Sequence, residues 1–288
     1  MILLNSENSI INETLNLTQN SPVTRLDKID TEFNDHSGAH FHLYADKDEI
    51  KLSIRLPAWR EISQKAELLD SLTKSSALKS LWQEQPDEGY NATIACKIEN
   101  LTKEVIDSFS NLKQKILAAP LSFLLEKKTS GEEQTFTVPL GNGNEDFYMA
   151  TSGAKGDQVI VLFAMKFVDQ TDTVLARVFL QEFFDVRSKL EDAPAVLLGK
   201  EPPKELAQAI KNIKSTSNND NTNYLTLVLF PRHYETEAAR LHLQKTLPFL
   251  PDYLHYHLKC CKAYLHKRMR AKSGDFLKML NRAKPENF

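Results

Sequence analysis

His257 and Cys261 are four residues apart, the spacing at which one face of a helix presents two metal ligands side by side. A structural zinc site needs four ligands and no second pair is evident, so packing in a core or an interface is the expected role of His257. His255 lies two residues from His257, about 200° around a helix, and cannot share an ion with it. Cys260 and Cys261 stand among basic residues, a setting that lowers thiol pKa values, but no partner pattern makes either of them a nucleophile. Gly141-Asn-Gly143 lacks the third glycine and the strand-to-helix setting of a dinucleotide loop. Walker-type Gly-Lys-Ser/Thr, His-Glu-x-x-His, Gly-x-Ser-x-Gly and Cys-x-x-Cys do not occur. The expectation is a non-enzymatic chain with no metal and no cofactor.

What the sequence does concentrate is charge. From residue 259 onward there are nine Lys or Arg against two Asp or Glu, whereas the first 258 residues hold 27 basic against 36 acidic residues, within a net charge of −2. That asymmetry suits an acidic partner: nucleic acid, anionic lipid or an acidic protein face. On a helical wheel started at Lys259, with about 100° per residue, Leu254, Leu258, Cys261, Leu265, Met269, Phe276, Leu280 and Ala283 fall between about 200° and 300°. Lys259, His266, Arg270 and Lys284 lie near 0°, and Lys267, Lys278, Arg282 and Arg268 cover about 80° to 180°. Lys272, at about 220°, falls inside the apolar sector, where it must snorkel, and Lys262 sits at the sector's edge, at about 300°. One side is apolar for about eight turns and the other is basic. The stripe can pack on the protein's own sheet, but its length exceeds what a small sheet covers, so part of it is expected against a second chain.

The elements that position this helix are ordinary. The chain has 288 residues, 41% hydrophobic and 26% charged, with no run of about 18 apolar residues and no basic segment leading an apolar one at the N-terminus. The expected location is the cytosol, with Cys96, Cys260 and Cys261 as free thiols. Periodicity predicts strands over Phe41–Tyr44 and Ile50–Leu56, a helix from Trp59 to Trp82, a strand over Tyr90–Ile98 and a helix from Thr102 to Ala119. It then predicts strands over Val159–Phe167, Val174–Phe184 and Tyr224–Phe230, and a last helix over Asp252–Ala283. Phe41–Leu56 and Phe147–Phe167 share an aromatic strand, an Asp-containing turn and a β-rich strand, which suggests a duplicated unit. The resulting fold class is α/β (α+β): two related sheet-and-helix modules, 1–126 and 127–250, divided at the polar segment Lys127–Gln134, then a long helix over 251–288.

Asp252-Tyr-Leu-His-Tyr-His-Leu-Lys-Cys, Lys262-Ala-Tyr-Leu-His, Arg268-Met-Arg-Ala-Lys, Asp275-Phe-Leu-Lys and Leu280-Asn-Arg-Ala-Lys-Pro resemble the C-terminal helix of the subunit 2 family of the actin-related protein 2/3 complex, the actin branching nucleator. Met1-Ile-Leu-Leu, Gly89-Tyr-Asn, Glu99-Asn-Leu, Val178-Phe-Leu-Gln-Glu-Phe, Glu201-Pro-Pro and Val228-Leu-Phe-Pro-Arg-His match it in the same order. The stretches 19–35, 126–144 and 215–223 match poorly. The resemblance implies a long helix antiparallel to that of the paralogous subunit 4, a core formed by the two subunits, and binding to the side of the mother actin filament. It further implies a place in the actin cytoskeleton, at the cell cortex and in projections. Partner-subunit contacts then fall to Leu254, Leu258, Cys261, Leu265, Met269, Phe276 and Leu280, and filament contacts to Lys155, Lys267, Arg268, Arg270, Lys278, Arg282 and Lys284. The rival expectation from the residues alone is a nucleic-acid- or anionic-lipid-binding protein using the basic helix.

Overall fold

A computed structural model describes residues 6–20, 28–35, 38–74, 78–126, 135–140, 146–153, 157–187, 189–190, 193–204, 206–207 and 222–282. After α1 (Ser9–Asn20), the strands β1 (Ile29–Asn34), β2 (His40–Ala45) and β3 (Glu49–Arg55) form an antiparallel meander. Asp46 closes its second turn, its Oδ1 accepting from the backbone N–H of Asp48 at 2.8 Å and of Glu49 at 2.9 Å. Those two donors hold the Asp46 carboxyl below its ordinary pKa. The helices α2 (Trp59–Ser63) and α3 (Ala66–Lys74) lead to β4 (Ala92–Lys97), which returns antiparallel to β3. Two further helices follow, α4 (Lys103–Ser110) and α5 (Leu112–Glu126).

The second sheet repeats the plan. The strands β5 (Thr135–Pro139), β6 (Asp146–Gly153) and β7 (Val159–Lys166) form a meander, α6 (Gln170–Arg187) and an added edge strand β8 (Ala195–Gly199) follow, and β9 (Asn223–Leu229) returns between β7 and β8. All pairings in both sheets are antiparallel. The chain then runs through α7 (Glu237–Thr246) into α8 (Leu250–Arg282). The fold is therefore mixed α/β, of the α+β kind. The two hairpins alike in sequence, β2–β3 and β6–β7, hold equivalent places in their sheets.

Alternation explains the inner faces: Phe41, Leu43 and Ala45 of β2 are buried while His40, His42 and Tyr44 are less so. α5 is buried on nearly every side, from Leu112 and Ile116 to Leu121 and Leu125. A helix apolar all round needs neighbours all round. One hydrophobic cluster accordingly runs from Ile11 through Leu52, Leu121 and Val161 to Leu258.

Several sequence expectations need correction. Val174–Phe184 is not a strand but the body of α6, whose buried residues Thr173, Ala176 and Leu180 recur at helical spacing. Asp169 starts that helix, its side chain accepting from Thr171 N–H at 2.8 Å. The helix expected over Trp59–Trp82 is two shorter ones, and Trp82 bridges to Ile94 beside β4. That expected over Thr102–Ala119 breaks at Asn111 and continues to Glu126, with Thr102 as its N-cap. The elements β1, β5, β8 and α7 have no counterpart among the predicted elements. The segment Lys127–Gln134, where the module boundary was drawn, lies outside the described residues.

Candidate functional site

α8 begins with Pro251 and Asp252 in its first turn, where a missing N–H is harmless and a carboxylate favours the helix dipole. Asp252 is buried, 3.7 Å from the Nζ of Lys113 on α5, and the same ammonium lies 2.5 Å from Asp35 at the end of β1 and 5.2 Å from the centroid of the Phe249 ring. Asp35 in turn accepts from Ala39 N–H at 2.9 Å. One buried lysine thus joins the first sheet, the central helix and the root of α8.

The next two turns pack on the body. Leu254 and Leu258 are 2% and 3% exposed and belong to the main hydrophobic cluster. The ring of His255 meets Phe167 edge-on at 5.7 Å, and that of His257 stacks on Phe179 of α6 at 5.5 Å and meets Tyr253 at 4.3 Å. The ring of His257 is thus packed among aromatic side chains. Among the described residues no group of three His, Cys, Asp or Glu is placed to hold a metal ion. Lys262 closes the contact: its ammonium lies 2.5 Å from Asp172 and 2.8 Å from Asp169, at the N-terminus of α6. The two carboxylates raise the Lys262 pKa, and Lys262, followed by the Thr171 N–H, holds Asp169 below its ordinary value.

Past Lys262 the helix leaves the body. Every residue from Ala263 to Arg282 except Gly274 is exposed, a projection of about 30 Å at ~1.5 Å per residue. Cys261, Leu265, Met269, Phe276 and Leu280 continue the stripe in the open, with Phe276 and Leu280 63% and 67% exposed. The structure therefore divides the seven residues expected at the partner interface. Leu254 and Leu258 are core residues of this chain and have no surface to offer; the other five do. The sequence reading passed over Met279, at about 200° on the same wheel, and over Leu277, which lies among the basic residues; both are exposed. Their apolar character was the available signal.

The basic side is as open. Lys267, Arg268, Arg270, Lys278 and Arg282 are all exposed. Arg268 lies over the ring of Tyr264 at 5.8 Å, and Lys278 is 3.9 Å from Asp275, a loose pair that leaves its charge largely to solvent. Among the described residues no carboxylate pairs with Lys267, Arg270 or Arg282. Lys155 and Lys284 lie outside the described residues. No described helix is long and apolar enough to cross a membrane.

A projecting helix with one apolar and one cationic side, rooted by buried charge, can hold two partners at once. Comparison with known proteins gives the chain a family. Residues 52–287 match the family model described as Arp2/3 complex, 34 kD subunit p34-Arc. The chain is 31% identical over 265 residues to actin-related protein 2/3 complex subunit 2 of Dictyostelium discoideum, covering 90% of this chain and 86% of the relative. It is 29% identical over 312 residues to the protein of the same name from Schizosaccharomyces pombe, covering 99% and 95%. With a family model spanning most of its length, this chain belongs to the family of the 34 kD subunit, p34-Arc, of the Arp2/3 complex.

Proposed function

We propose that the chain is a non-catalytic structural subunit of the Arp2/3 complex, pairing through the projecting part of α8 with subunit 4 and presenting its basic side to the side of the mother actin filament during branching. The observation that carries this reading is the mismatch between the stripe and its cover. Apolar residues continue at helical spacing to Leu280, while burial within the chain stops at Leu258. Covering a large apolar side chain is worth about 1.5–3 kcal/mol, so Leu265, Met269, Phe276 and Leu280 left in water call for a partner. An antiparallel helix of similar length fits a straight stripe. The filament contact rests on Lys267, Arg268, Arg270, Lys278 and Arg282, with Lys155 and Lys284 as further contributors. In this reading 1–126 and 127–250 are two modules that carry the helix, and the protein works in the cytoplasm at the actin cytoskeleton, in the cortex and projections.

The test is replacement of Leu265, Met269 and Phe276 together by Asp in the co-expressed complex. Subunit 4 should be lost from the purified complex while the variant chain keeps the circular dichroism and unfolding midpoint of the parent. Recovery of an intact complex would refute the interface. Retention of the parent on heparin or anionic vesicles, with no cosedimentation with filaments, would favour the nucleic-acid or lipid reading instead.

A further inference from the structure

Ser273 follows Arg268-Met-Arg270-Ala-Lys272 and precedes Gly274-Asp275. Arginines five and three residues before a serine form the charge pattern that basophilic protein kinases select, because carboxylates in their substrate grooves clamp the two guanidinium forks. Ser273 is exposed on the projecting part of α8, where its Oγ donates to the Met269 carbonyl at 2.9 Å.

A kinase takes its substrate extended, so a serine inside a helix must be released first. Here the helix is weakest at that point. The bond from Ser273 to a carbonyl four residues back competes with the backbone ladder, and a Ser-Gly pair is a common site of helix distortion. Gly274 is a poor helix former, and a methyl group in place of its hydrogen would meet nothing within 4 Å, so packing gives no reason for glycine there. A helix without support from its own chain is only marginally stable.

The position also matters for what a phosphate would do. One turn to either side, Ser273 neighbours Met269 and Phe276 of the apolar stripe and Arg270 and Leu277 of the basic side. We propose that Ser273 is a phosphorylation site for a basophilic serine/threonine kinase acting on the unassembled chain, and that the phosphate prevents the stripe from accepting its partner helix. The Ser273 hydroxyl oxygen attacks the γ-phosphorus of Mg-ATP, the bond from that phosphorus to the β,γ-bridging oxygen breaks, ADP leaves, and the hydroxyl proton passes to the kinase's base. The product carries a charge of roughly −1.5 to −2 at the border of a surface that must be dehydrated to pair. Arg270, one turn away, holds the phosphate in place. The effect on assembly rests on the interface reading above; the modification itself does not.

The test uses the full chain, free and in the assembled complex, with Mg-ATP and a kinase selective for Arg-x-Arg-x-x-Ser, followed by phosphopeptide mapping. Ser273 should be labelled in the free chain, at least tenfold more slowly in Arg270→Ala and in Gly274→Ala, and at least tenfold more slowly in the complex. No label on Ser273, or equal labelling in Arg270→Ala, overturns the proposal. Phosphorylated chain and Ser273→Glu should recover less than a tenth of the parent's subunit 4, and Ser273→Asn should recover the parental amount; normal assembly of the phosphorylated chain overturns the assembly effect. If the Leu265, Met269 and Phe276 triple Asp variant also assembles, the interface reading is what has failed, and labelling of Ser273 is judged by the mapping alone.

Discussion

The two halves of α8 carry the same stripe and opposite surroundings. From Leu250 to Lys262 it meets the core cluster, Phe167, Phe179 and two aspartates at the N-terminus of α6; from Ala263 to Arg282 it meets water. Since the apolar spacing does not change at Lys262, the pattern alone does not say where folding ends and assembly begins. That border is set by where the body stops, and it falls at an ion pair: among the described residues, Lys262 with Asp169 and Asp172 is the last salt bridge between the helix and the body.

The contrast is sharpest for two leucines seven residues apart. Leu258→Asp should destabilise the isolated chain by on the order of 4 kcal/mol or more, because a carboxylate replaces a core side chain, and urea unfolding would register it. Leu265→Asp should leave the midpoint unchanged and weaken only assembly. Equal effects of the two on the isolated chain would erase the border drawn here.

Next in size is the root. Lys113→Met leaves Asp35 and Asp252 without their buried ammonium, a loss of about 3–5 kcal/mol by analogy with other buried pairs broken on one side. A midpoint within error of the parent would mean that the cluster is solvated in practice. The outer half offers a smaller effect. Charge reversal of Arg270, Lys278 and Arg282 together should weaken filament cosedimentation by tenfold or more, leave assembly intact and flatten its dependence on salt, since screening acts on the charges removed. Loss of assembly instead would mean that the two sides of the helix are reversed.

The smallest effect concerns the border itself. Asp169 is held below its ordinary value by Lys262, so its share of stability is complete above the ordinary carboxylate pKa of about 4 and disappears as pH falls through the lowered one. Lys262, raised above its ordinary value, stays charged throughout that range. The difference in unfolding midpoint between the parent and Lys262→Met should therefore be present at pH 7 and shrink toward zero at pH 2. A difference that persists at pH 2 would assign the contribution of Lys262 to its alkyl stem rather than to charge.

Much of α8 was legible because a wheel needs only spacing, and spacing is local. The division at Lys262 was not, because the residues that end the body there, Asp169 and Asp172, are about ninety positions away in sequence and join through the fold. α6 failed for a different reason. Its Val174, Val178 and Val186 are exposed, so the β-branched residues that suggest a strand hid the shorter set, Thr173, Ala176 and Leu180, that faces the core. The Lys113 cluster was equally hidden, since its three members come from three separate segments.

That cluster has a mechanical consequence. The free part of α8 is a lever about 30 Å long, and a tilt of about 5° at its root displaces the tip by roughly 2.6 Å, nearly half of the ~5.4 Å helix pitch. A displacement of that size moves the ridges of one helix out of the grooves of another. Lys113, buried on the central helix, therefore aims the far end of the molecule: the fulcrum of the lever is an ammonium held between two carboxylates in the core.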